Sequence, residues 1–332
     1  MVMTGWRVAA ICGLIMLTAL TLPFLVSTYY VQFATKAIIL GLLAMSLNLV
    51  VGYGGLVSLC HAAFFGVAGY VLALATPKYD PASLWLTLPL AIIASGAVAA
   101  VIGALALRTR GIYFIMVTLA FGEMLFYVFH DSKFSGGSDG IFVNTKPTMK
   151  IGETALLNLE NPLAFYFLVL GITVLIAALL AGLVNSPFGR ALVAARDNER
   201  RARALGFPVF RLRLSAFIVS GMMAGIAGYF SAAQFGFITP QTLGWHFSAT
   251  ILVMVLIGGL HSVPGPFVGA LILIGLEEFL KGVTEHWKLA EGIIVIGIVL
   301  VMPNGLDRLM AMLREAPAAP PEPRPIAEAT RG

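Results

Sequence analysis

The sequence contains few side chains that could do catalytic chemistry, and none of them falls in a recognisable catalytic motif. No GxxxxGK[ST] stretch is present, so the chain lacks the glycine-rich loop that cradles ATP phosphates. No HExxH stretch occurs either, and the two cysteines, Cys12 and Cys60, lie far apart in apolar runs. We therefore predict no enzymatic activity, no disulfide, no metal ion and no cofactor bound by this chain.

The polar side chains of most interest lie within apolar stretches, where a polar group is costly unless it has a partner or a use. Glu123 is an acid in such a stretch, and it could line a path for a polar solute. Alternatively, it could reach the surface or pair with a lysine such as Lys36. The full set of candidates for a solute path is Asn48, His61, Tyr113, Thr118, Glu123 and Gln234. For most of the others, a structural hydrogen bond to a neighbouring helix is the competing interpretation.

Most of the chain is too apolar to lie against water. Of its 332 residues 59% are hydrophobic and 11% are charged, and the mean hydropathy of +0.93 excludes a soluble domain. A helix needs about 20 apolar residues to cross the hydrocarbon core with its backbone groups paired. The sequence thus predicts an all-α integral membrane protein, a polytopic bundle of about ten helices. The predicted spans are 8–26, 33–51, 56–76, 84–107, 111–130, 163–184, 214–235, 247–262, 264–281 and 288–303.

The basic residues divide by type between the two sides of this bundle. With ten spans, all fourteen arginines fall on one side and all seven lysines on the other. The positive-inside rule then puts the arginines and both termini in the cytoplasm, with the protein in the inner membrane. The net charge of +5 therefore indicates orientation in a lipid bilayer rather than binding of nucleic acid. We expect the first apolar run to be a retained helix, since no clear cleavage site follows it.

Two polar stretches interrupt the spans of the predicted transmembrane region, 1–306. The outer one, 130–162, contains SGGSDG, which is either a surface turn or a contact for an extracytoplasmic protein. The inner one, 185–213, is the most charged part of the chain. The remaining residues, 307–332, are rich in Pro and Ala and are expected to form a disordered cytoplasmic tail. A weak echo between residues 54–66 and 258–270, both beginning GGLxS, is compatible with a parallel duplication.

The inner stretch predicts a short helix on the cytoplasmic face. A Ser-Pro pair ends the preceding span, Asp197 or Asn198 can cap the new helix, and Gly206 ends it. This helix would have a flat apolar surface that could fit a groove in another protein. The surface is made of small apolar residues: Ala195, Ala202, Ala204 and Leu205. The competing interpretation is a loop whose arginines hold lipid phosphates.

Several motifs in this order resemble the branched-chain amino acid ABC permeases, the LivM-like family. They are RTRGIYFIMVTLAFGEML (108–125), GGSDG (136–140), SPFGRALVAARDNERRARALGF (186–207), MVLIGGLHSVPGPFVGA (254–270) and MPNGL (302–306). The resemblance implies that 185–213 is a coupling loop whose short helix sits in a cleft of an ATPase subunit. It would place these residues at or near the contact: Asp197, Glu199, Arg200, Arg203, Ala204 and Gly206. The chain departs from the family pattern at Cys60 and at His261-Ser262.

The resemblance implies the permease subunit of an importer for branched-chain or related amino acids, working by alternating access. Its implied partners are ATPase subunits that use the ATP, a second and related permease subunit, and an extracytoplasmic substrate-binding protein. Urea, short amides or other small acids are alternative substrates. A carrier or channel driven by an ion gradient is the alternative of another class, and it would need intramembrane charges and broken helices.

Glycines spaced by four residues indicate close helix packing in the membrane. They are Gly221 with Gly225 and Gly265 with Gly269. Packing within the chain is the simpler interpretation, and a seam between two subunits or a gate is the alternative.

Overall fold

The computed structural model describes residues 26–77, 81–143, 145–151, 154–157, 159–260 and 262–301, together with residues 21, 23, 24 and 305. The predicted first span lies largely outside these residues. His261 and the predicted tail, 307–332, lie wholly outside them.

The described part of the chain is built mainly from helices, as expected for an apolar chain that must pair its backbone internally. The helices are α1 (Thr28–Asn48), α2 (His61–Ala75), α3 (Leu84–Ala106), α4 (Ile112–Asp131), α5 (Pro162–Asn185), α6 (Pro187–Asp197), α7 (Glu199–Ala204), α8 (Val209–Phe235), α9 (Trp245–Gly258), α10 (Gly265–Val283) and α11 (Trp287–Val301). A π-helical turn, Leu49–Tyr53, continues α1, and short 3₁₀ turns occupy Lys133–Ser135, Gly137–Asp139 and Pro240–Leu243.

Five of these helices are long and apolar enough to cross a membrane by themselves: α1 with its π-helical turn, α3, α4, α5 and α8. Two further apolar helices, α2 and α9, are shorter. The chain is therefore an all-α membrane protein in its main features. The number of ten spans stays a prediction.

Four short strands lie in connections that were predicted without strands. β1 (Ile141–Phe142) pairs antiparallel with β4 (Phe237–Ile238), and β2 (Met149–Ile151) pairs with β3 (Thr154–Leu157). The first pair joins the outer stretch 130–162 to the connection between α8 and α9. Strands of two to four residues leave too short an alternating pattern to be recognised from sequence.

Three helices begin about five residues from their predicted starts, and the first of them, α1, begins at Thr28 and not at 33. α2 begins at His61 and not at residue 56, because residues 54–60 run without helix up to its first turn. α8 begins at Val209 and not at 214, so the charged stretch between spans is shorter than predicted. Most of that stretch is itself helical, since α6 was not predicted.

α8 forms the centre of the packing, between α1, α2 and α3. Its glycines make this possible: a Cβ at Gly228 would collide with the Phe65 carbonyl oxygen of α2, and one at Gly225 would collide with Ser95 of α3. The outer sides of α4 and α5 carry many exposed apolar residues, among them Ile112, Met116, Leu175 and Leu179. Such surfaces suit lipid or another membrane subunit.

The connections gather at two ends of the bundle. At one end, which we call the arginine end, residues 52–60, 107–111 and 186–208 contact one another through Arg196, Arg110 and their partners. At the other, the strand end, β1 pairs with β4, and Gln234 Nε2 donates to the Gln32 carbonyl over 2.7 Å. This grouping matches the sequence-based division of loops into two sides.

Candidate functional site

Two helices joined at a sharp corner make up the charged segment of the arginine end. The Ser186 hydroxyl accepts a hydrogen bond from Gly189 N at 3.4 Å and starts α6, with Pro187 in its first turn. Asn198 caps α7, since its Oδ1 accepts from Arg201 N at 2.9 Å. α7 ends before Gly206, whose φ of +85° suits glycine. The corner between the two helices is thus fixed by local hydrogen bonds.

The apolar surface of this segment differs from the predicted one. Ala195 and Ala202 are buried and form a small cluster with Val209, so they hold α7 against α6 and α8 and cannot touch a partner. Leu205 is 70% exposed, and Ala204, Phe207 and Phe210 are exposed beside it. The free apolar surface therefore lies just past the end of α7, over residues 204–210.

Glu199 is the centre of an ion-pair cluster that joins three parts of the fold. Its carboxylate lies 2.6 Å from Arg203 Nη2, 3.2 Å from Arg110 Nη2 and 3.1 Å from Arg213 Nη1. Arg110 precedes α4, and Arg213 belongs to α8 and also donates to the Ala195 carbonyl over 3.3 Å. Burial by itself raises the pKa of the Glu199 carboxyl, but the charges of Arg213, Arg110 and Arg203 outweigh it and hold this pKa below its usual value.

A second link runs from α6 to the end of α1. Arg196 Nη1 donates to the Gly52 carbonyl in the π-helical turn, and the Arg196 side chain packs over Gly55. Asp197 is exposed and accepts from Arg196 Nε at 3.0 Å, which orients that arginine. Arg200 is exposed, and Arg203 is more than half exposed. Of the six predicted coupling residues, Glu199 therefore faces into the protein, and Asp197 acts on Arg196.

The predicted path residues His61 and Thr118 belong to a buried polar cluster at the start of α2. His61 Nε2 lies 2.7 Å from Ser220 Oγ of α8, and Nδ1 lies 3.2 Å from Ser58 Oγ. The Ser220 hydroxyl in turn donates to the Ser46 carbonyl of α1. Thr118 Oγ1 accepts from Leu59 N at 3.2 Å. The hydroxyl groups of Ser58 and Ser220 are therefore the partners of the imidazole.

Asn48 lies at the junction of α1 and the π-helical turn, fully buried. Its Nδ2 donates to the Ser262 carbonyl over 3.0 Å, while its Oδ1 has no hydrogen-bond partner among the described residues. This bond ties the end of α1 to the second GGLxS segment, 258–262, at the arginine end.

Glu123 caps the start of α9. Its Oε1 accepts from Trp245 N at 3.0 Å, where the partial positive charge of a helix N-terminus favours a carboxylate. The alternative of a pairing with Lys36 is not found, since Lys36 lies 3.9 Å from Glu277 instead. Tyr113 is 69% exposed on the outer side of α4. Neither Glu123 nor Tyr113 joins the polar cluster around His61.

Gln234 lines a cavity of about 410 Å³ between α1, α2, α8 and α9 near the strand end. Lys36 and the Thr239 and Thr242 side chains border the same cavity. Most of its wall is apolar, with Ile39, Leu40, Phe65, Ile238 and Phe247 among the lining residues. The cavity thus has the mixed lining typical of small-molecule sites.

The predicted packing glycines all meet neighbouring helices of this chain. Cβ atoms at Gly221 and Gly225 would strike Ala99 and Ser95 of α3, and one at Gly269 would strike the Met254 carbonyl of α9. At Gly265 a Cβ would strike Ser262 and Gly258. These glycine faces are covered within the chain, as the simpler interpretation expects.

Sequence reasoning missed α6 and the cavity. α6 had a recognisable signal, because Phe188, Ala191, Leu192 and Ala195 follow the i, i+3, i+4, i+7 spacing of a buried helix face. The cavity was signalled only through Gln234, a predicted path residue, since Lys36, Phe65 and Phe247 come from three distant segments. Among the residues that the structure describes, no group of three His, Cys, Asp or Glu could hold a metal ion.

Comparison with known proteins places this architecture in a family. Residues 29–302 match the family described as "Branched-chain amino acid transport system / permease component". The chain is 31% identical over 311 residues to the high-affinity branched-chain amino acid transport system permease protein LivM of Salmonella typhimurium, covering 88% of this chain and 73% of that protein. The LivM protein of Escherichia coli is 30% identical over the same shares.

A more distant relative covers part of the chain. The autoinducer 2 import system permease protein LsrC of Klebsiella pneumoniae is 35% identical over 152 residues, 42% of this chain and 44% of that protein. No solved structure matches the chain. From the match over residues 29–302 and the two LivM proteins, the chain belongs to the family of branched-chain amino acid transport system permease components.

Proposed function

We propose that this chain is the membrane-spanning permease subunit of an ABC importer that carries branched-chain amino acids across the inner membrane. The observation that carries the proposal is the match of residues 29–302 to a permease family, together with LivM relatives along 88% of the chain. The relatives' name supplies the substrate class. The shorter match to an autoinducer 2 permease keeps other small polar solutes as the second candidate.

The proposed topology has about ten spans, with the arginine end in the cytoplasm. All arginines from 190 to 213 lie at or next to this end, which accords with the positive-inside rule. Both termini are then cytoplasmic, and the strand end faces the extracytoplasmic binding protein. A second, related permease subunit completes the pore against the exposed apolar sides of the bundle.

ATPase subunits dock on α7 and the residues that follow it. The exposed apolar surface of Ala204, Leu205, Phe207 and Phe210, surrounded by arginines, has the composition of an interface and not of a simple lipid anchor. ATP is used by these partners, because the sequence carries no phosphate-binding loop.

The ion pairs behind this surface offer a route for movement. Glu199 ties α7 to α4 through Arg110 and to α8 through Arg213, while Arg196 ties α6 to the end of α1. A shift of α7 would therefore pull on α1, α4 and α8 together. Alternating access by rocking of these helices is the mechanism that this geometry supports best.

Two substitutions test the docking role. Ala204→Asp puts a charge on the exposed surface, and burying it against an ATPase costs a few kcal/mol, about 2–4. We expect loss of co-purifying ATPase and of substrate-stimulated ATP hydrolysis in the reconstituted complex. Leu205→Asp should act in the same way, and it should leave folding intact because Leu205 is 70% exposed.

The matched control is Arg211→Gln, which removes one exposed charge from the first turn of α8. Near a membrane surface one such charge contributes roughly 1 kcal/mol, so this complex should assemble and transport nearly as well as wild type. If Ala204→Asp and Leu205→Asp complexes assemble and transport as well as the control, docking on this surface is refuted.

A further inference from the structure

The cavity at the strand end is lined by parts of the chain that are far apart in sequence. α1 supplies Lys36, Ile39 and Leu40, α8 supplies Ser231 and Gln234, and Phe65 and Phe247 come from α2 and α9. The two phenylalanine rings pack with their centroids 5.1 Å apart. An apolar wall of branched and aromatic side chains thus faces a small number of polar groups.

Gln234, which lines this cavity, carries a hydrogen-bond acceptor that is not satisfied within the described part of the chain. Its Nε2 donates to the Gln32 carbonyl over 2.7 Å, and because only the amide nitrogen can donate, the orientation of the side chain is fixed. Its Oε1 is buried, and no hydrogen-bond donor approaches it among the described residues. A buried acceptor without a donor is costly, which favours a ligand that brings one.

Lys36 presents a positive charge to the same cavity and is only loosely paired. It lies 3.9 Å from Glu277, whereas Lys281 lies 2.6 Å from that carboxylate on the same helix, α10. Lys36 can therefore turn towards an anionic ligand without leaving Glu277 unpaired. About a third of its side chain is exposed, so it is reachable from the cavity mouth.

We propose that this cavity is a binding site for a zwitterionic α-amino acid with a branched apolar side chain. Lys36 binds the carboxylate, Gln234 Oε1 accepts from the ammonium, and the wall of Ile39, Leu40, Phe65 and Phe247 holds the side chain. The volume of about 410 Å³ lies within the range of small-molecule sites. The proposal rests on the proposed function and adds to it a place where the substrate pauses after the binding protein releases it.

The test measures binding directly and needs no transport. Ser231→Cys places a thiol in the cavity wall of the permease–ATPase complex without binding protein, in a chain whose Cys12 is serine. Cys60 is buried, and the same chain without Ser231→Cys gives the background labelling. We expect leucine to slow maleimide labelling of Cys at this position, and Thr242→Cys serves as a second reporter site.

The two polar contacts predict which analogues fail. 4-Methylpentanoate lacks the ammonium and 3-methylbutylamine lacks the carboxylate. Each should therefore bind at least about tenfold more weakly than leucine, and protect the introduced cysteine correspondingly less. Lys36→Gln and Gln234→Leu should each remove protection by leucine. The control Lys288→Gln, at an exposed lysine that does not line the cavity, should retain it.

Each result decides the proposal separately from the transport function. Absence of leucine protection at both reporter sites, in a complex that imports leucine once ATP and binding protein are added, would overturn the site and leave the function standing. Equal protection by leucine and by either analogue would also overturn it. Protection in a complex that imports no leucine would support the site and count against the importer.

Discussion

Glu199 illustrates how a single side chain can have a different role from the one its position suggests. Its place in the coupling motif predicts a contact with an ATPase, yet its carboxylate faces Arg110, Arg203 and Arg213 of the same chain. Its side chain is 20% exposed, so solvent screens these pairs only in part. We conclude that Glu199 holds α7 in place and does not itself form the proposed docking surface.

Glu199→Gln should therefore destabilise the protein while leaving the docking surface intact. Arg110 and Arg203 are more than half exposed, so most of the loss comes from Arg213, and we expect about 1–2 kcal/mol. Since the pKa of Glu199 is lowered in the fold, its contribution is present above the ordinary carboxyl pKa and is lost as pH falls through the lowered value. Thermal unfolding should show a constant difference from wild type between about pH 7 and 5, which shrinks at lower pH. A difference that grew on acidification would contradict this assignment.

Glu123 gives a second prediction at the residue scale. Because its Oε1 accepts from Trp245 N, Glu123→Gln keeps an acceptor at the start of α9 and should retain uptake close to wild type. Glu123→Leu removes the cap and should cost about 0.5–2 kcal/mol of stability. Uptake and thermal unfolding measured on both variants separate capping from substrate contact. Strongly reduced uptake by a stable Glu123→Gln protein would show that the carboxylate acts on the substrate.

The residues of the candidate site were only partly predictable. The polarity of Asn48, His61 and Gln234 inside apolar runs was enough to single them out, because such positions demand partners. Their partners were not predictable, since Ser220 and Gln32 are more than 150 residues from His61 and Gln234 along the chain. Single-sequence reasoning does not fix contacts over such separations.

At the scale of elements, α2 differs most from a simple span. It begins at His61, at the same depth as Thr118 of α4. Thr118 is the seventh residue of α4, roughly 10 Å along that helix from its first residue. Its early backbone donors are satisfied by side chains, with Ala62 N donating to Ser248 Oγ over 3.0 Å. Irregular backbone within a membrane protein is tolerated where protein surrounds it in this way.

The contact between α2 and α8 gives the prediction at this scale. Gly228→Ala would push a methyl group against the Phe65 carbonyl oxygen. Because that oxygen belongs to the backbone of α2, the clash can be relieved only by moving α2 and α8 apart. We expect destabilisation of about 1–3 kcal/mol in thermal unfolding. Gly171→Ala in α5 is the matched control, since its Cβ would meet no atom within 4 Å. Equal unfolding temperatures for the two variants would show that α2 and α8 are not packed as described.

The long helices were predictable because length and apolar character alone define them. The boundaries of α3, α4 and α5 fall within one or two residues of the predicted spans. α8 starts earlier than predicted because its first five residues include Arg211 and Arg213, and hydropathy assigns such charged residues to a loop. Arg213 is nevertheless held within the fold by its pairing with Glu199. Charge pairing thus extends a helix beyond what composition indicates.

For the whole molecule, the division into two ends sets the arrangement of functions. The cavity lies at the strand end and the coupling segment at the arginine end, and α8, with 27 residues, runs between them. Such a helix is about 40 Å long, enough to connect the two faces of a bilayer. Arg213 near its start and Gln234 near its end make α8 the direct link between the proposed docking surface and the proposed substrate cavity.

Cysteine labelling tests this two-ended arrangement. Ser138→Cys at the strand end should react with an impermeant maleimide added outside intact cells, and Ala194→Cys at the arginine end should react only after permeabilisation. Both positions are exposed, whereas the neighbouring Ala195 is buried and would give no signal from either side. Reaction of both cysteines from the same side would contradict the proposed topology.

The central claim, that separate ATPases drive this permease, is tested most directly by leucine uptake into proteoliposomes. The vesicles contain the complete complex of this chain, its partner permease and the ATPases, with the binding protein on the strand side and ATP on the arginine side. Uptake should require ATP and the binding protein, and it should be unchanged when an ionophore collapses proton and sodium gradients. Leucine accumulation by this chain alone under an ion gradient, without ATPase subunits, would contradict the account.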